Sequence, residues 1–145
     1  MATILLVEDE PDLLFVFRIV LEERGYRVHA ARNGKEGLDI ASRYLPDLIV
    51  TDWNMPEMDG EELCERLRLS PALASVPIAV VSARYPPLGQ KSLWNAFLLK
   101  PVDVETLQLT VARLLVGRLS RTSVRQALSD PAPSRWQPIS WRCWP

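Results

Sequence analysis

The chain has 145 residues, with 17 Lys and Arg against 18 Asp and Glu and a formal net charge of −1. That length suits one domain with a sizeable core, and the charge balance gives no global reason to bind nucleic acid or a membrane surface. No apolar run approaches a membrane span, the N-terminus lacks a signal peptide's basic region, and two cysteines without metal-ligand spacing, Cys64 and Cys143, point to a reducing cytoplasm.

In chain order, Thr3-Ile4-Leu5-Leu6-Val7 reads as a buried strand that ends in three acids, Glu8-Asp9-Glu10. Pro11 suits the first turn of a helix, whose apolar positions Leu13, Leu14, Phe17, Val20 and Leu21 recur at helical spacing up to a stop at Gly25. Tyr26 to Ala31 reads as a second strand. It carries the one histidine, His29, as a solvent-facing residue with no neighbour to orient it for catalysis. Asn33 caps a second helix with Leu38, Ala41 and Leu45 on its core face, closed by Pro46.

Leu48-Ile49-Val50 is a third strand pattern, buried on both faces, and it runs into a charge at Asp52. Pro56 and Gly60 break regular structure, and a third helix follows from about Glu61 to Leu69, with Leu63 and Leu67 inward. Ile78-Ala79-Val80-Val81 is a fourth strand ending at Ser82, and Ala96 to Leu99 a fifth ending at Lys100-Pro101. Pro86-Pro87 and Gly89 leave room only for a short helix between them, beginning near Gln90. Asp103 caps a last helix with Leu107, Val111, Leu114 and Leu115 on one face. Strands alternating with helices make a parallel α/β sheet covered on both sides.

In such a sheet the strands' carboxyl ends share one edge, the ligand-binding crevice. Glu8 and Asp9 close the first strand and Asp52 the third, and bare carboxylates so close repel one another. A hard divalent cation with oxygen ligands relieves that repulsion, and Mg²⁺ suits a site of few carboxylates and several waters. Ser82 and Lys100 on the same edge add a hydroxyl and an ammonium, a cradle for a tetrahedral oxyanion. Together these groups point to an aspartyl-phosphate on Asp52.

The run Asp52-Trp53-Asn54-Met55-Pro56 with Met58-Asp59-Gly60, the strand-end acids, Ser82-Ala83 and Lys100-Pro101 fall in an order that resembles the receiver domain of two-component response regulators, the chemotaxis regulators especially. The resemblance covers about Ala2 to Val116. It implies a flavodoxin-like, doubly wound sheet of order 2-1-3-4-5, with the family's fourth helix short or degenerate here. It also implies that Asp52 accepts a phosphoryl group from a histidine kinase or phosphotransfer protein. Glu8, Asp9, Asp52 and the Asn54 backbone carbonyl would hold Mg²⁺. Ser82 would bond one phosphoryl oxygen, Lys100 would neutralise another, and Ala83 would leave them room. Phe97 stands at the family's aromatic switch position, and a plain core residue is its other reading. A receiver is a phosphoacceptor rather than an enzyme with a separate substrate; at most it catalyses its own phosphotransfer and dephosphorylation.

Two departures bear on output. The segment from Ser82 to Lys100 is shorter than in the family, and Trp94-Asn95-Ala96 stands where Gly-Ala is usual. The face that commonly carries output or dimerisation is therefore altered. The receiver is expected to occupy residues 1–117 and a basic extension residues 118–145. From Gly117 onward five Arg (118, 121, 125, 135, 142) face one acid, Asp130, a balance of +4 that leaves −5 for the remainder. Trp136, Trp141 and Trp144 fall in this tail, and such clusters mark contacts, with the chain's own domain, a second copy or an output protein. The tail is too short for a DNA-binding domain and carries no recognisable nucleic-acid motif.

Two rivals remain. A phosphatase of the haloacid dehalogenase type shares the strand-end Asp nucleophile but needs a second acid two residues on, where this chain has Asn54. A pseudo-receiver that binds partners without phosphorylation would not need the full set Glu8, Asp9, Asp52, Ser82 and Lys100.

Overall fold

Apolar strands without polar alternation are buried on both faces, which requires helices above and below the sheet. The computed structural model, which describes residues 1–85 and 93–129 (119–129 by backbone alone), has that architecture. The elements are β1 (Thr3–Val7), α1 (Pro11–Glu22), β2 (Arg27–Ala31), α2 (Gly34–Tyr44), β3 (Leu48–Asp52), α3 (Gly60–Leu69), β4 (Ile78–Ser82), β5 (Ala96–Leu99) and α4 (Val104–Ser129). All strands are parallel, in the order β2-β1-β3-β4-β5, the flavodoxin-like order that the resemblance implied.

Successive side chains of a strand point to opposite faces, so each buried strand feeds two cores. Ile4, Leu6, Leu48, Val50, Ala79 and Val81 pack with Phe17, Val20 and Leu21 of α1 and with Leu107, Val111 and Leu115 of α4. Leu5, Val7, Ile49, Ile78 and Val80 pack on the other side with Ala41 of α2 and with Leu63, Cys64 and Leu67 of α3. The register places Val7 beside Thr51, Asp52 beside Val81, and Ser82 beside Leu99. The carboxyl ends of β1, β3, β4 and β5 therefore lie along one edge.

Several helix ends are set by side chains. The Asn33 side chain accepts from Glu36 N–H at 2.8 Å, Asp59 from Glu62 N–H at 2.9 Å, and Asp103 from Thr106 N–H at 2.8 Å. These caps pair backbone donors that a helix's first turn leaves unsatisfied. Asp103 is fully exposed, and the bond from Thr106 holds its carboxyl below the usual range.

Two sequence expectations need correction. Leu45 is not on the core face of α2: it is the C-cap, in the left-handed conformation (φ 48°), and 53 % exposed. The buried positions of α2 are instead Gly34, Gly37 and Ala41. His29 is not left without a neighbour: it is half-buried, its ring stacked on Tyr44 at 4.4 Å. The helix after β5, for which the sequence set no end, continues past Gly117 to Ser129. Arg118 fixes it to the sheet's opposite edge by donating to the carbonyl oxygens of Pro46 (3.2 Å) and Asp47 (2.7 Å). The short helix expected near Gln90 and the tryptophans of the tail lie outside the described residues. No helix among the described residues is long and apolar enough to cross a membrane.

Candidate functional site

The edge where the strands end gathers the expected acids. Glu8 follows β1 and is 2 % exposed; Asp52 ends β3 and is 6 % exposed; Asp9, beside Glu8, faces solvent. One oxygen from each of these three carboxylates lies within 4.8 Å of the others. Asp52 pairs with Val81 of β4, and the β1 ladder ends one residue before it, at Thr51. Asp52 Oδ1 accepts from Trp53 N–H at 2.8 Å. Glu8 Oε2 accepts from Glu10 N–H at 3.2 Å.

Lys100 reaches into this group from the end of β5. Its Nζ is 3.2 Å from Glu8 Oε1 and 3.4 Å from Asp52 Oδ2. Backbone pairing sets the reach: Lys100 N–H donates to the Ser82 carbonyl at 2.7 Å, which fixes the end of β5 against the end of β4. Ser82 is fully buried, and its Oγ accepts from Arg84 N–H at 3.2 Å.

One ammonium among three carboxylates leaves the site short of positive charge. Burial pushes the Glu8 carboxyl up to about 7; Asp52 adds to the rise, while the Glu10 N–H and Lys100 oppose it. Burial likewise raises Asp52, against the pull of Lys100. At Lys100 burial works against the charge, but Asp52 and Glu8 outweigh it and the ammonium is held above its ordinary range. The donor set is all oxygen, carries surplus negative charge and has one exposed member. That fits a hard divalent cation that keeps several waters, and Mg²⁺ in particular.

The loop after β3 carries Asn54, which is exposed. Close backbone approaches hold this loop. Gly60 N–H donates to the Trp53 carbonyl at 2.7 Å. A Cβ at Gly60 would sit 2.8 Å from Trp53 Cα, which is why α3 can begin so near the end of β3 only with glycine. Met58 is buried against α2, and a Cβ at Gly34 would collide with the Met58 carbonyl oxygen. Phe97 is half-buried and packs on the α2 and α3 side with Trp53, Met55 and Trp94.

Two features of the site's surroundings carried no sequence signal. The first is Arg68, in the last turn of α3. It donates to the carbonyl oxygens of Leu93 (3.1 Å), Ala74 (2.9 Å) and Val76 (2.7 Å), and to Asn95 Oδ1 (2.9 Å). The second is Trp94, whose ring meets those of Trp53 and Phe97. Only the departure from the family's Gly-Ala pattern marked its position.

A doubly wound sheet of this order, with paired acids after its first strand, an aspartate ending the third and a lysine after the fifth, defines the class of chemotaxis-regulator-like receiver folds. Residues 4–112 match the family model described as response regulator receiver domain, and the chain belongs to that family, the receivers of two-component signalling. It is 31 % identical over 121 residues to protein PilH of Pseudomonas aeruginosa, a match covering 81 % of this chain and 100 % of that protein. It is 32 % identical over 131 residues to the sensor histidine kinase TmoS of Ectopseudomonas mendocina, covering 88 % of this chain but only 13 % of the kinase. The crystallised chemotaxis response regulator CheY4 of Vibrio cholerae superposes with a TM-score of 0.74 at 30 % identity, over 79 % of this chain and 98 % of CheY4.

Proposed function

We propose that this chain is a phosphorylatable switch in the cytoplasm, with Asp52 as the phosphoacceptor, residues 1–117 as the receiver and residues 118–145 as a basic extension. The observation that carries the reading is the position of Lys100, whose Nζ lies within ion-pair distance of both Glu8 and Asp52. It brings the ends of β1, β3 and β5 to one point, as in-line transfer to a buried carboxylate requires.

A carboxylate oxygen of Asp52 attacks the phosphorus of a phosphohistidine on a kinase or phosphotransfer protein. The P–N bond breaks, its electron pair stays on the imidazole nitrogen, and an acyl phosphate forms. Lys100 balances charge on one phosphoryl oxygen, and the Ser82 hydroxyl turns from the Arg84 N–H to donate to another. Glu8, Asp9, Asp52 and the Asn54 carbonyl are the groups that would hold Mg²⁺, which when bound supplies further positive charge for the phosphoryl oxygens. Water regenerates Asp52 by attacking the same phosphorus. Output passes through protein contacts, with Phe97 as the switch residue and an output protein or a second copy of the chain as the partner.

Incubation with acetyl phosphate and Mg²⁺, read by intact mass, tests the assignment. The wild type gains a phosphoryl increment and Asp52→Asn does not. An equal increment in the variant refutes it.

A further inference from the structure

Trp94 stands where the family's usual Gly-Ala leaves no large side chain, and nothing in the phosphotransfer chemistry uses it. Its ring packs edge-on against Trp53, with centroids 5.4 Å apart and planes at 82°. On its other side it meets Phe97 at 5.7 Å and 51°. Trp53 directly follows Asp52, and its backbone N–H is shared between Asp52 Oδ1 (2.8 Å) and the Val81 carbonyl (3.0 Å). A continuous line of aromatic contacts thus joins the residue bonded to the phosphoacceptor with β5, the edge strand of the sheet.

We propose that Trp94 is the coupling residue of this receiver: its ring responds to the state of Asp52 through Trp53 and transmits the response to Phe97 and β5. The inference rests on the reading of Asp52 as phosphoacceptor and adds to it the route by which the site's state leaves the site.

The main chain around Trp94 is bracketed. Asn95 exchanges two hydrogen bonds with Ile78: its N–H donates to the Ile78 carbonyl at 2.8 Å, and its Oδ1 accepts from Ile78 N–H at 2.9 Å. Arg68 grips the Asn95 side chain and the Leu93 carbonyl on either side of the tryptophan. With both neighbours tied to α3 and β4, the segment is fixed and the indole is its freest part. The upstream input is equally local. Acyl phosphate formation turns one oxygen of Asp52 into the bridging oxygen of a mixed anhydride and places the negative charge on the phosphoryl group. The shared Trp53 N–H then has a poorer acceptor in Asp52, and its balance with Val81 changes. Trp53 and Trp94 are half-buried and in ring contact, so a reorienting Trp53 ring presses on Trp94. Aromatic pairs prefer edge-to-face or offset geometries, so the Trp94 ring follows, and Phe97 on its far side moves with it.

The test uses the full chain labelled with 5-fluorotryptophan, with the Trp53 and Trp94 fluorine resonances assigned through Trp53→Phe and Trp94→Phe. Acetyl phosphate and Mg²⁺ are added while intact mass is followed in parallel. The expected result is that both resonances shift as the phosphoryl increment appears and that neither shifts in Asp52→Asn. If the increment appears and Trp53 shifts while Trp94 stays in place, the coupling role is overturned and the phosphoacceptor reading survives. If no increment appears, both fall. A second arm compares amide hydrogen exchange at Phe97–Leu99 with and without acetyl phosphate. The difference between the two states should persist in Trp94→Phe and vanish in Trp94→Ala. A Trp94→Ala protein that keeps the full difference overturns the proposal without any reliance on the fluorine assignments.

Discussion

Glu8 offers a measurement of how much strain the acid cluster places on the fold when no cation is supplied. The side chain is 2 % exposed, and its carboxyl is raised from 4.5 to about 7, first by burial. Below pH 4.5 it is neutral in the folded and unfolded chains alike, and it contributes no penalty. Between 4.5 and about 7 the folded chain retains a proton that the unfolded chain has released, so stability falls as pH rises through this window. Above about 7 both states are ionised and the whole penalty is in place. The span from 4.5 to about 7, at about 1.36 kcal/mol per pKa unit, corresponds to roughly 3 kcal/mol. Glu8→Gln keeps the shape and an oxygen that can accept from Lys100, yet cannot ionise.

Urea denaturation of the wild type and Glu8→Gln in chelator, at a series of pH values spanning that window, reads the effect as a difference in which groups that do not interact with Glu8 cancel. Relative to the wild type, Glu8→Gln should gain about 3 kcal/mol of stability between the acid and alkaline ends of the series. Excess Mg²⁺ should shrink the gain, since a bound cation compensates the ionised carboxylate. A difference independent of pH refutes the reasoning. So does a variant that loses ground at high pH, which would mean that the pair with Lys100 outweighs burial.

Mg²⁺ should raise the wild-type melting temperature by mass action, by the equivalent of about 2.7 kcal/mol at a hundredfold excess over its dissociation constant, and Asp9→Ala should lose the effect; melting of the wild type that ignores Mg²⁺ would dismiss the metal site. Gly34→Ala drives a Cβ into the Met58 carbonyl and should destabilise by about 1–3 kcal/mol, the usual range for overpacking; because Met58 belongs to the loop carrying Asn54, Mg²⁺ affinity should fall too, and unchanged values in both titrations would contradict the contact. Arg68→Ala strips hydrogen bonds from three carbonyls and from Asn95 and should lower stability by about 2 kcal/mol with faster amide exchange at Asn95. Arg68→Lys should recover little, because a point charge cannot reproduce the guanidinium fork, so full recovery would count against the clasp.

The strands were legible because burial on both faces writes a continuous apolar run. Leu48-Ile49-Val50 could not be a surface strand, and a charge at its end could only be an edge residue. The same logic located Glu8, Ser82 and Lys100, since parallel strands put all their carboxyl ends together. What escaped is set by three-dimensional placement rather than by pattern. Leu45 continues the helical period of Leu38 and Ala41, but the chain turns left-handed at that residue and carries it off the core. Nothing in a period announces where a helix ends. Gly117 and the arginines after it read as a tail, yet an isolated glycine weakens a helix by only about 1 kcal/mol, and the Arg118 anchor on Pro46 and Asp47 keeps α4 docked at that point. Arg68 is one of two basic residues on α3, and beside Asn95 Oδ1 it bonds three backbone carbonyls, which have no sequence signature.

The structure also separates what is fixed around the site from what can move. Asp52 is held in the sheet against Val81 of β4, and Lys100 is tied through its N–H to the Ser82 carbonyl. Leu93 and Asn95 are clasped by Arg68, and Asn95 also by Ile78. Among the described residues, the groups at the site left free to reorient are the Ser82 hydroxyl, the Lys100 ammonium and the rings of Trp53, Trp94 and Phe97. A phosphoryl group on Asp52 would draw the first two toward itself, and that breaks the contact between Lys100 and Glu8 unless the ammonium can serve both. Glu8 then loses a neighbour that lowers its pKa, which favours proton binding there further. On the proposed function, the response to phosphorylation would begin as a redistribution among these side chains and reach β5 through the contacts of Trp53, Trp94 and Phe97.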